Sequence, residues 1–174
     1  MKRVSSQLIF CSPNKILRNS VVEQNEDGFI TRFVNLQTEQ VETANTFFYD
    51  GIISAEITSL KQHLSAAQIA ELSKVYNYID LSTASTINLE NNKQFLIDFG
   101  TNDLAVINQT LKSQASLFCY FDAFQFISAC CYYPIEILKT NVQLQLSHKP
   151  NLLLWQSLNL VSKQITANTS VTQC

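Results

Sequence analysis

The chain holds only two histidines, His63 and His148, so a histidine-based hydrolytic metal site in its 174 residues has to be built around them. A hydrolytic zinc site uses three protein ligands and keeps a fourth position open for water. Two imidazoles cannot complete such a shell, and the fold would have to bring carboxylates to them. Asp98 and Asp103 are the acids a rearranged site of this kind would use. Read from their surroundings, His63 before a helix start and His148 before Pro150 are solvated loop histidines, which is the simpler expectation.

Nucleophilic catalysis finds no marker either. Ser-His-Asp and Cys-His sets need no adjacency in sequence, but the chain has no Gly-x-Ser-x-Gly elbow and no Gly-rich phosphate loop. The five cysteines stand at positions 11, 119, 130, 131 and 174, with neither a CxxC spacing nor an even count for a disulfide framework. Reduced thiols and a cytoplasmic location are the expectation. Cys130 and Cys131 are neighbours in an apolar helix, where burial raises a thiol pKa and packing is the expected role. Asp122 and Glu136 lie inside an aromatic-rich run and must be paired, solvated or protonated. Each is either a pocket acid or the wet edge of its helix, the latter being the simpler reading.

Composition narrows the field. With 46% hydrophobic and 15% charged residues the chain is globular rather than disordered. A net charge of -2 offers no general attraction for nucleic acid or anionic lipid, so neither is an expected partner. The apolar stretch Ala115–Leu138 contains Asp122, Gln125, Pro134 and Glu136, which argues for a buried or interface helix and against a membrane span.

Strands are expected at Val4–Phe10, Ser20–Gln24, Phe29–Leu36, Thr46–Tyr49 and Ile52–Thr58, all rich in β-branched and aromatic residues. Asp27-Gly28 predicts a hairpin through a type I′ or bulged turn, and Asp50-Gly51 a second turn or a bulge. Ser65 followed by Gln68 is a capping-box pattern, and the spacing of Ile69, Leu72, Val75 and Tyr76 predicts a helix over 66–79. Thr86–Leu89 and Gln94–Phe99 read as strands around Asn91-Asn92. A helical stripe restarts at Leu104 with Thr101 or Asn102 as cap and widens into an aromatic helix reaching about residue 133. Pro134 stops or kinks it and can open a further helix over 134–140. Leu152–Leu160 and Gln164–Thr166 read as closing strands.

The sum is an α+β fold: a small sheet or β-sandwich of N- and C-terminal strands covered by central helices (about 66–79, 103–133 and 134–140). It is expected as a single domain, with 1–60 and 150–174 as the β part and 61–149 as a mainly helical insertion. The aromatic run Phe118–Tyr133 is either core, a homodimer interface or the lining of a small-molecule pocket.

The two ends also carry a resemblance. The opening hairpin followed by Phe48-Tyr49-Asp50-Gly51-Ile52-Ile53-Ser54 resembles the N-terminal part of the amidohydrolase superfamily, where a β-sandwich leads into the first barrel strand. The tail His148-Lys149-Pro150-Asn151-Leu152-Leu153-Leu154-Trp155 is similar to the segment that returns to that sandwich after the barrel. Gly100-Thr101-Asn102-Asp103 is a weaker likeness of the Gly-Thr-Asp that carries that family's metal-binding aspartate, here displaced to Asp103. The family's His-x-His is absent, for after Ile53 the chain reads Ser54-Ala55-Glu56-Ile57-Thr58. A (β/α)₈ barrel alone needs about 200 to 250 residues, more than the whole chain. The resemblance therefore implies a degenerate, non-catalytic relative acting as a structural or interaction module, without cofactor or metal, and the aromatic run adds the expectation of a homo-oligomer through the helix around Phe118–Tyr133. A small metal-dependent or acid-base hydrolase with a rearranged site is the alternative.

Overall fold

The computed structural model describes residues 1–12, 15–39, 45–83, 93–131 and 151–174. They form an α+β structure divided into two compact units, one of residues 1–56, 145–156 and 171–174, the other of 57–144 and 157–170. His148, the expected strand Thr86–Leu89, the expected helix over 134–140, Glu136, Tyr132 and Tyr133 all lie outside the described residues.

The first unit is a mixed six-stranded sheet in the order β3-β2-β1-β4-β7-β8. Its strands are β1 (Lys2–Ser12), β2 (Lys15–Gln24), β3 (Ile30–Asn35), β4 (Thr46–Ala55), β7 (Leu152–Gln156) and β8 (Ser170–Gln173). N- and C-terminal strands thus share one sheet, as the sequence reading expects. β1 pairs antiparallel with β2 and parallel with β4, and β7 pairs antiparallel with β4. Val4, Ile9, Val22, Ile53, Leu152 and Leu154 make one buried cluster drawn from β1, β2, β4 and β7.

Two glycines shape this sheet. The β2–β3 turn is of the bulged kind: Gly28 N–H donates to Asn25 O, Asn25 N–H donates to Phe29 O, and of the turn residues only Gly28 takes a positive φ, 86°. A type I′ turn would need positive φ at both central residues. Asp50-Gly51 is a bulge rather than a turn, because β1 advances from Ser6 to Leu8 while β4 advances from Tyr49 to Ile52. At φ 140° a Cβ on Gly51 would stand 2.2 Å from the Trp155 carbonyl oxygen, so only glycine fits beside β7 there.

The second unit pairs two short parallel strands, β5 (Asn77–Asp80) and β6 (Phe95–Asp98). Around them are α1 (Leu60–His63), α2 (Ala66–Leu72), α3 (Leu104–Ser113), a 3₁₀ turn (Ala115–Tyr120) and α4 (Ala123–Cys131). The Ser65/Gln68 capping box is present, Gln68 N–H donating to Ser65 Oγ at 3.3 Å and Ser65 N–H donating to Gln68 Oε1 at 2.8 Å.

Several boundaries differ from the sequence reading. The helix expected over 66–79 ends at Leu72, where the Ser73 hydroxyl and amide both turn back to Ile69 O. Val75, placed on its apolar face by periodicity, is 61% exposed. Asn77–Asp80 pair with β6 instead, since a β ladder satisfies the backbone while the alternating side chains of Tyr76, Tyr78 and Ile79 find cover. The helix expected over 103–133 is three pieces. Gln114 leaves helical geometry at φ -110°, ψ 23°, Phe121 is extended, and Asp122 Oδ1 accepts from Phe124 N–H at 2.8 Å to open a new helix. The strand expected over Leu152–Leu160 stops at Gln156, ahead of Ser157 at φ 59°, and Gln164 makes an isolated bridge to Asn159, so the closing strand is Ser170–Gln173 and not Gln164–Thr166.

Part of the aromatic run is core of the second unit, while Tyr120 is 63% exposed. Phe118, Phe121 and Phe126 are buried and meet edge to face, with ring centroids 5.0 Å apart for Phe118–Phe126 and 5.9 Å for Phe121–Phe126. Phe95 and Phe99 of the β6 segment join them at 5.2 Å from Phe121 and 6.2 Å from Phe126. Among the described residues no helix is long and apolar enough to cross a membrane.

Candidate functional site

The densest polar arrangement lies at the carboxyl ends of β5 and β6, the side of a parallel sheet where loops converge. Each strand ends in Ile-Asp: Ile79 sits opposite Ile97, and Asp80 opposite Asp98. The isoleucines are buried, and each acid is the last residue of its strand, where the chain gives way to a loop.

Asp98 is fully buried. Its Oδ2 accepts from the Lys61 backbone N–H at 3.0 Å and from the Tyr78 hydroxyl at 2.8 Å, and its Oδ1 accepts from Gly100 N–H at 2.7 Å. One carboxyl group thus ties the first turn of α1 to β5 and to the loop after β6. Burial pushes the Tyr78 phenol well above its ordinary range, helped by the hydrogen bond to Asp98 and the charges of Asp98 and Asp80.

Asp80 faces the wetter side. It pairs with the Lys61 ammonium, and its Oδ1 accepts from the Ser82 hydroxyl at 2.6 Å and the Ser82 N–H at 3.1 Å. The Thr83 hydroxyl donates to Oδ2 at 2.8 Å, and Lys61 Nζ also donates to Ser82 Oγ at 3.1 Å. Burial acts to raise this carboxyl, but the bonds from Lys61, Ser82 and Thr83 outweigh it and hold Asp80 below the usual carboxylate range. Asn102 adds a third tie, its Oδ1 accepting from Ser59 N–H at 2.7 Å and its amide donating to Gln62 Oε1 at 3.3 Å.

Chemically this is a brace. A general acid or base has to present a titrating oxygen to a substrate, whereas the oxygens of Asp98 are enclosed and committed to three donors of the chain itself.

The residues singled out in the sequence fall in different places. Asp98 belongs to the brace. Asp103 is exposed and caps α3, its Oδ1 accepting from Ala105 N–H at 2.8 Å, a role the sequence reading gave to Thr101 or Asn102. His63, expected in a loop just ahead of the helix that starts at Ala66, does precede that helix and is exposed, but it is the last residue of the short α1. Asp122 caps α4 and lies 3.9 Å from the Lys163 ammonium. Cys130 is buried, which, with the neighbouring Cys131 and Asp98, pushes its thiol well above the ordinary range. Among the described residues no group of three or more His, Cys, Asp or Glu could hold a metal ion.

Sequence reasoning missed Lys61, Tyr78, Asp80, Ser82 and Thr83. The signal was available: Tyr78-Ile79-Asp80 and Leu96-Ile97-Asp98 share one pattern, an aromatic or aliphatic residue and isoleucine running into an acid. No protein-family model, no curated protein and no solved structure matches the chain.

Proposed function

We propose that this chain is a non-catalytic interaction module built on an amidohydrolase-like β unit. The observation that carries the non-catalytic part is the enclosure of Asp98, whose carboxyl oxygens take three hydrogen bonds from the chain and are closed to solvent. An acid used in this way braces a fold. The other described acids singled out in the sequence, Asp103 and Asp122, spend an oxygen on helix caps.

The amidohydrolase relationship is supported by the placement of the two stretches that carry it. Ile52, Ile53 and Ser54 of β4 lie opposite Trp155, Leu154 and Leu153 of β7, although about a hundred residues separate them in the chain. Sandwich strands that leave for a barrel and return from it would meet in this manner. An interaction role is further supported by Phe47 and Phe48 on β4, which are 59% and 65% exposed.

The test is metal analysis of protein purified without chelator, together with amide and ester hydrolysis assays in the presence of zinc or manganese. The proposal expects substoichiometric metal and no turnover above that of an Asp98→Asn, His63→Ala double variant. Stoichiometric metal with turnover that the double variant loses overturns it.

A further inference from the structure

We draw no further inference here: the strongest candidate, the exposed apolar patch of Phe47 and Phe48 on the Thr46–Tyr49 step of β4, carries nothing because nothing in the structure shows what covers it.

Discussion

Nε1 of Trp155 donates to Oγ of Ser54 at 2.8 Å, and both residues are fully buried. The serine hydroxyl in turn donates to the carbonyl of Ala55 at 2.9 Å, so one small side chain joins the buried indole N–H to a backbone carbonyl. Ser54→Ala removes this acceptor and is expected to destabilise the first unit by about 1–2 kcal/mol. Trp155 is the chain's single tryptophan, so urea unfolding followed by its fluorescence reports this unit. A change within a few tenths of a kcal/mol would mean that the indole finds another partner.

Gly51 lies beside the same tryptophan. Alanine there would have to hold a φ of 140° and would push its Cβ to 2.2 Å from a backbone oxygen, which no rotamer can relieve. Gly51→Ala is expected to cost at least roughly 2 kcal/mol in the same unfolding experiment, and to shift the Trp155 emission as β7 moves off β4. Wild-type stability in this variant would show that the bulge relaxes without penalty.

These two positions also mark what the sequence discloses. The strand content of β1 to β4, the Gly28 turn, the capping box of Ser65 and Gln68 and the sharing of a sheet by the two ends were all legible, because each rests on local chemistry or on alternation within a few residues. β5 was not. Asn77–Asp80 continue a helical periodicity through Ile69, Leu72, Val75 and Tyr76, and only pairing with β6, a long-range event, turns them into a strand. The candidate site fared similarly: Asp98 was named for its type, but its role depends on Lys61 and Tyr78 reaching it from other elements. The break of the aromatic helix was readable in principle, since Asp122 inside an apolar run is a cap signal as much as a buried acid.

The brace makes stability depend on pH at both extremes. Asp80 is held below its ordinary value when folded, so its contribution is present above the unfolded carboxylate pKa of about 4 and is lost as pH falls through the folded value. Asp80→Asn should flatten the acid limb of a stability-versus-pH curve below about pH 4. An unchanged acid limb would place the sensitivity elsewhere.

At the alkaline end the sign reverses. Tyr78 is raised by burial and by its bond to Asp98, so the folded state favours the neutral phenol, and stability declines once pH exceeds the ordinary tyrosine value of about 10. Titration of phenolate absorbance should show one of the six tyrosines ionising only as the second unit unfolds. Tyr78→Phe should remove that late step and lower stability at neutral pH, since Asp98 loses one of its three donors. If all six titrate together below pH 11 or so, Tyr78 is not held by Asp98.

Asp122 decides between two meanings of an acid in an aromatic segment. As a helix cap it accepts from Phe124 N–H at 2.8 Å and Gln125 N–H at 3.3 Å, a role asparagine can fill and alanine cannot. Asp122→Ala should destabilise the second unit by about 1 kcal/mol and Asp122→Asn by much less, measured by far-ultraviolet circular dichroism during urea unfolding. A pocket acid would behave otherwise: both substitutions would be neutral or stabilising, because each removes a carboxyl group that burial disfavours. Equal losses in the two variants would assign the effect to the carboxylate charge facing Lys163, 3.9 Å away, and that loss should shrink in high salt.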